Sequence, residues 1–369
     1  MMARPTGVDS IPNELLENIF EVGLLLPIPM DDNYPHRPLF SKSPLLPLYP
    51  TALSQVCIRW RELVLQMPNL WSHIHLTRSI EAHRRLKSEV RRSLEWLPTY
   101  LIRSADLPLH VTVDTTRLPA TTVLNHILPY SLRWQSFTLL VSHVGSLPSI
   151  LPLLEKTRVP QLRALSITSD IYRDGIVCYE PLSPFFAVST PELSSVHLHG
   201  VYILWNAAPL KNLRTLELHF TSRWPTFTEL RDVFRASPQL RRFVIHDDIT
   251  ELLRHVDQPL SKPKIELGSL RYLEIEAYRV RGGHADVASL IGLFTLPRLE
   301  TLVLRELKTG EWTNVAMIYG LPTDPRKFQI RPSRRSTDYR ASVFRVSDSF
   351  PLLSTLIVSS SSFSGGTIH

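Results

Sequence analysis

Cysteine is nearly missing from this chain: Cys57 and Cys178 are the only two among 369 residues. Two thiols build neither a disulfide framework nor a cysteine metal quartet, so the chain reads as one from a reduced compartment, cytosol or nucleus. Glycine is scarce at 13 residues against 30 prolines, which argues for short elements with stiff connections and against phosphate-cradling loops. No apolar run approaches the ~20 residues of a membrane span; the greasiest stretch, 22–30, is interrupted by Pro27 and Pro29. No basic segment followed by a long apolar one opens the chain, so no secretory leader is expected. The sequence also lacks a Gly-Lys-Ser/Thr phosphate loop, a Gly-x-Ser-x-Gly elbow, a His-Glu-x-x-His pair and a Cys-x-x-Cys. The expectation is a protein that is not an enzyme and carries no cofactor.

What is present is the composition of a folded chain, 43% hydrophobic and 20% charged. Its length exceeds one core of ordinary size, so a small and a large domain are expected. The formal charge of +7 is spread thinly. It favours acidic partners or surfaces without implying nucleic acid.

Two short stretches have helical apolar spacing. In Ile11–Phe20 (IPNELLENIF), Leu15, Leu16, Ile19 and Phe20 fall on one side, and Pro12 sits where a first turn tolerates proline. In Leu53–Leu65 (LSQVCIRWRELVL), Leu53, Val56, Cys57, Trp60, Leu63 and Val64 follow helical spacing, with Gln55, Arg59, Arg61 and Glu62 opposite. Cys57 is therefore expected on a buried stripe. The intervening Glu21–Thr51 holds seven prolines and is expected to loop out without continuing either helix.

This pair resembles an F-box. The resemblance rests on Ile11-Pro12, Glu14-Leu15-Leu16, Ile19-Phe20, Val56-Cys57, Arg59-Trp60-Arg61 and Pro68-Asn69-Leu70-Trp71. It departs from a compact F-box in the length of the interval 21–51. The overall style is similar to F-box proteins of mushroom-forming fungi. The resemblance implies that a domain over 8–72 docks on the Skp adaptor of a cullin-based ubiquitin ligase, through Pro12, Leu15, Leu16, Ile19, Leu53, Val56 and Trp60. The rest of the chain would hold a protein destined for ubiquitylation and proteasomal degradation.

Behind it, strands are expected over 73–76, 107–114 and 134–141, and helices over 79–103 and 120–128. From Pro160 a repeat Pro-x-Leu-x-x-Leu-x-Leu appears, in PQLRALSI, PELSSVHL, PQLRRFVI, PRLETLVL and PLLSTLIV, with two copies lacking the proline, KNLRTLEL and GSLRYLEI. The anchors Leu162, Leu193, Leu213, Leu240, Leu270, Leu299 and Leu353 are spaced by 31, 20, 27, 30, 29 and 54 residues. Because the last step equals two ordinary ones, a degenerate copy is expected at 325–330. Such a period points to an α/β leucine-rich-repeat solenoid with parallel strands over 73–369, in which 226–236 and 285–294 are return helices. Residues 322–345, rich in arginine, read as a basic excursion without clear periodicity. As a nucleic-acid-binding segment they would be a weak alternative. No cap is apparent after the last leucine strand.

If the repeat leucines point inward, period 2 sends two columns outward. One is Ser166, His197, Glu217, Val244, Glu274, Val303 and Ile357; the other is Thr168, His199, His219, His246, Glu276, Arg305 and Ser359. Strands about 4.8 Å apart would stack His199, His219 and His246 as neighbours. Three readings stay open: an ordinary exposed polar face, a partner-binding surface whose charge changes near pH 6 to 7, and a metal site with suitable ligands but no cysteine. The candidate partner-binding residues are His197, His199, Glu217, His219, His246, Glu274, Glu276 and Arg305, and no metal is assigned. His73 and His75 repeat the His-x-His spacing on an outer face. The partners expected are the Skp adaptor and an unidentified protein substrate, with no membrane. The alternative is a leucine-rich scaffold outside any ligase.

Overall fold

The computed structural model describes residues 7–25, 30–31, 34–38, 49–76, 94–115, 120–141, 147–169, 186, 190–201, 203–205, 210–219, 225–247, 264–277, 287–305, 313–317, 339–342 and 350–358. Two compact units divide the chain. One comprises 1–163 with 188–192, the other 164–187 with 193–369.

The first unit opens with helix α1 (Asn13–Leu25). Leu16 and Phe20 are buried from it, while Leu15, Ile19 and Val22 face solvent. The helix therefore runs past Phe20 into the segment expected to loop out. Leu24 is half-buried, and Tyr49 donates a hydrogen bond to the Phe20 carbonyl (3.2 Å). A Cβ at Gly23 would collide with the Tyr49 hydroxyl, so a larger residue there would force the Tyr49 ring to shift. A short antiparallel pair, β1 (Met30–Asp31) and β2 (Tyr34–Pro38), also lies in this interval.

The second stretch is two helices, α2 (Tyr49–Leu53) and α3 (Ile58–Leu65), not the single helix expected. Cys57 explains the break. It adopts an extended backbone at the N-cap of α3 and its Sγ accepts from the Trp60 N–H (3.5 Å). A side-chain acceptor at this position satisfies a donor that the first turn leaves orphaned. Cys57 is thus exposed, not on the buried stripe. Arg59 ties α3 to the start of α1 by donating to Asn13 Oδ1 (2.8 Å), and Trp60 packs edge-on against Phe20 at 4.8 Å. The 3-10 turn Pro68–Trp71 then delivers Trp71 into the core, where its Nε1–H donates to the Val64 carbonyl (2.9 Å). Tyr100 and Arg103 of α4 (Leu97–Arg103) pack on the same indole. Most of the helix expected over 79–103 lies outside the described residues.

Parallel strands β3 (His73–Leu76), β4 (Leu109–Asp114) and β5 (Trp134–Val141) follow, with α5 (Ala120–Ile127) between the last two and α6 (Leu147–Glu155) after them. Their alternation buries Ile74, Leu76, Leu109, Val111, Val113, Phe137 and Leu139, as period 2 predicts.

In the second unit seven strands run parallel in chain order: β6 (Ala164–Ser169), β7 (Ser195–His199), β8 (Thr215–His219), β9 (Arg242–Asp247), β11 (Tyr272–Ala277), β13 (Thr301–Arg305) and β15 (Thr355–Val358). Among the described residues, β3 to β5 of the first unit and these seven strands of the second make ten strands that run parallel to their neighbours, in a mixed α/β fold. Every anchor leucine of the repeat is buried just ahead of its strand.

The repeat prolines have a local reason. In five copies the anchor N–H closes a tight turn on the carbonyl three residues earlier, as in Leu162 to Val159 (3.1 Å), Leu240 to Ser237 (3.1 Å) and Leu299 to Leu296 (3.3 Å). Proline or Gly268 then sits at the second turn position, where a fixed φ of about −65° is pre-set. After each turn one carbonyl receives two N–H groups of the next repeat. Arg214 takes Arg241 and Arg242, Arg241 takes Arg271 and Tyr272, and Arg271 takes Glu300 and Thr301. These paired bonds lock successive repeats in register.

The return helix α7 (Phe227–Arg235) carries the capping box that its sequence offers. The Thr226 hydroxyl accepts from the Glu229 N–H while Glu229 accepts from the Thr226 N–H (2.8 Å). Helix α8 (Val287–Gly292) returns the chain before β13, and a small parallel pair, β10 (Ile265–Glu266) with β12 (Phe294–Thr295), flanks it. Two expectations are corrected at the C-terminal side. Strand β15 pairs directly with β13 across the step of 54 residues, so no described strand stands between them in the sheet. The edge of β15 is covered by β14 (Tyr339–Ser342), an antiparallel strand inside the segment expected to lack periodicity. Covering the edge satisfies backbone groups that an open edge would present to solvent. The degenerate copy expected at 325–330 lies outside the described residues.

Candidate functional site

Register brings the histidine and carboxylate columns together as the repeat requires. His197 pairs with Glu217, Glu217 with Val244 and Val244 with Glu274 in one row. In the next row the order is His199, His219, His246, Glu276 and Arg305. The rings meet accordingly: His199 and His219 at 6.0 Å, His219 and His246 at 4.4 Å edge-on, and His197 and His219 at 4.7 Å.

The columns are not, however, an exposed polar face. His199, His219, His246, Glu274 and Glu276 are all buried, His219 to 2% exposure. His197 and Glu217 keep about a fifth to a quarter of their side-chain surface, at 24% and 21%, and Arg305 a third. The difference arises because side chains on adjacent parallel strands stand close enough to cover one another. Long polar side chains in three consecutive rows therefore shield each other's heads, and alternation alone does not reveal that.

Burial is matched by pairing. Glu217 Oε2 contacts His197 Nδ1 (3.1 Å) and stands 3.8 Å from His219 Nε2, while its Oε1 accepts from Arg242 Nε (2.6 Å). Burial would raise the Glu217 carboxyl, but the bonds from His197, His219 and Arg242 outweigh it and hold the group well below the usual carboxylate range. Glu274 has the same balance. Burial opposes its charge, and His246 (3.2 Å), the Tyr272 hydroxyl (2.5 Å) and Arg305 Nε (2.7 Å) override it. Glu276 Oε2 lies 3.4 Å from the other nitrogen of His246. His199 Nδ1 faces the Ser169 carbonyl (3.2 Å). Burial and the nearby His197 charge lower its pKa to about 4, so it is neutral at pH 7.

Arg242 and Tyr272 are central to this network and were outside the two columns read from sequence. The guanidinium lies over the phenol ring at 3.9 Å and reaches toward Glu274 (3.9 Å) while holding Glu217. Both belong to a third outward column, one residue before the first strand leucine. Counting period 2 backwards as well as forwards would have found them.

The first unit carries a smaller counterpart. His73 stacks on His110 at 4.5 Å, and His110 Nδ1 contacts the Ser136 hydroxyl (2.9 Å). Burial and mutual repulsion lower His73 and His75 to about 4, so these are half-buried neutral imidazoles and not decorations of an open face.

Of the residues expected to meet the adaptor, Pro12, Leu15, Ile19 and Val56 are exposed, and Leu53 and Trp60 are half-buried. Leu16 differs from these: at 1% exposure it is a core residue. Sequence reasoning missed Val22 and Ile58, which are exposed on the same helices. Leu15, Ile19 and Val22 fall at i, i+4 and i+7, and with Ile11 and Asn18 they line one shallow apolar depression. No helix among the described residues is long and apolar enough to cross a membrane. No protein-family profile, curated protein or solved structure matches the chain.

Proposed function

We propose that the chain is the substrate-recognition subunit of a Skp-cullin-F-box ubiquitin ligase, with an F-box at its N-terminal side and a leucine-rich-repeat body behind it. The observation that carries this reading is the outer face of α1. Leu15, Ile19 and Val22 are 53%, 52% and 58% exposed while Leu16 and Phe20, on the adjoining stripe, are sealed in the core. A helix apolar on both sides in a well-packed setting suits a partner helix laid along the outer one. Val56 and Ile58, exposed at the start of α3, add to the apolar surface. Such a subunit does no bond chemistry. It raises the effective concentration of a client beside a catalytic centre held elsewhere in the complex.

The regular register of the repeats supports the second half of the reading. Seven parallel strands whose leucine positions pair row by row are what a leucine-rich stack requires, since each unit covers its leucines only against its neighbours. The test is co-purification with a Skp adaptor and with clients that accumulate when the proteasome is blocked. Leu15→Ala combined with Val56→Ala should abolish adaptor capture without lowering the melting temperature. A chain that never retains the adaptor, with its melting curve intact, would instead be a scaffold outside any ligase.

A further inference from the structure

Within the buried polar network, three donors converge: His197 Nδ1, Glu217 Oε2 and His219 Nε2. All three atoms lie within 4.8 Å of one another. The shared oxygen stands 3.1 Å from the first nitrogen and 3.8 Å from the second. For bonds of about 2.0 Å, tetrahedral donors are roughly 3.3 Å apart. The first separation is close to that value and the second is about half an ångström wide of it, so the oxygen already stands near the spacing a small cation imposes.

We propose that His197, Glu217 and His219 form a binding site for one divalent transition-metal ion of the zinc type, with a fourth position open to water or to a donor from a partner. Two imidazoles and one carboxylate make a borderline-soft donor set that favours zinc and its neighbours over magnesium or calcium, which prefer all-oxygen shells. Two features organise the site. His219 is buried and fixed between the rings of His197 and His246, at 4.7 and 4.4 Å, which limits the freedom its ring loses on binding. Arg242 Nε grips Glu217 Oε1 at 2.6 Å and so orients Oε2 toward the two nitrogens. Hydrogen bonds of this kind aim a ligating carboxylate and tune its affinity. Entry is from the side of His197 and Glu217, the two ligands that keep solvent contact.

The surrounding charge is compatible with a cation. Around the site stand three carboxylates, Glu217, Glu274 and Glu276, against two guanidinium groups, Arg242 and Arg305. The carboxylates thus exceed the guanidinium groups by one. The site uses none of the residues of the proposed adaptor face, so either reading can fail alone.

The experiment is a zinc titration of the untagged full chain in competition with a chromophoric chelator, paired with cobalt(II) substitution read in the visible spectrum. One equivalent of zinc per chain and cobalt bands of tetrahedral intensity are expected. His197→Ala removes a partly exposed ligand. It should weaken zinc by at least about tenfold and abolish the cobalt bands while leaving the metal-free melting curve in place. Glu217→Gln tests the shared oxygen with the shape retained, and His126→Ala, at an exposed histidine of α5, should change nothing. Zinc affinity equal in the wild-type and His197→Ala chains, or octahedral cobalt spectra in both, overturns the proposal.

Discussion

The opening helices and the strand rows of the second unit depart from the inside-out rule in opposite directions. On α1 large apolar side chains stand in water, whereas on β7, β8, β9 and β11 imidazoles and carboxylates are buried. The first departure costs the folded chain little, because an exposed leucine on a helix loses few contacts when truncated. The second is expensive unless every charge is partnered, because ionised groups leave water only against compensating bonds. An exposed apolar stripe can therefore be altered for binding alone, while a buried polar network couples any change to stability.

That contrast is sharpest at Glu274. Replacing Glu274 with Ala leaves Arg305 and His246 facing an empty position in the interior. The expected loss is about 3 to 5 kcal/mol of unfolding free energy, read from urea denaturation. A change smaller than about 1 kcal/mol would mean that the network is solvated and the contrast false.

Acid should separate the regions next. His199, His73 and His75 have folded pKa values of about 4, below the ordinary 6.5, so the folded state disfavours their protonation. Stability linked to them is complete above pH 6.5 and is lost as the pH falls toward 4, by up to roughly 3 kcal/mol for each acting alone. Glu217 and Glu274 are held below the usual carboxylate range, so their contribution is present above about pH 4.3 and fades beneath it. Denaturation midpoints that stay flat between pH 7 and 4.5 would contradict the burial of the imidazoles. In His199→Gln the loss over the upper part of this range should shrink.

A smaller effect lies in the return helix. Thr226→Ala removes the hydroxyl half of the capping box, leaves the backbone N–H of residue 226 bonded to Glu229, and should cost ~1 kcal/mol without touching the polar rows. The smallest belongs to the outer face of α1, where Leu15→Ala with Val56→Ala should shift stability by no more than about 0.5 kcal/mol. A drop of several kcal/mol there would show that the face is buried, and the proposed docking surface would go with it.

Much of the strand arrangement was legible beforehand, and for a simple reason. Leucines at fixed offsets from a turn proline set both the start of a strand and its inward face, so the pairing of His197 with Glu217 or of His219 with His246 follows from counting. The helical opening was less legible. Val56 and Cys57 satisfy helical spacing, yet Cys57 serves better as a cap, and spacing cannot weigh a hydrogen bond against another turn of helix. Leu15 and Leu16 differ by one position, and only the packing of Phe20 against Trp60 decides which of them is sealed in.

The sequence by itself determined the register: which residues share a row, which leucines anchor it, and where α7 begins with its own cap. Tertiary structure decided what those rows became. Whether a polar column faces water or is buried among its neighbours depends on side chains that are 20 to 30 residues apart in the chain and adjacent only across strands, as His197, Glu217 and Arg242 are. Covering the edge of β15 with β14, and seating β15 directly beside β13, likewise required pairing that no local pattern encodes. Local periodicity fixes directions along one strand, and burial is a property of the assembled sheet.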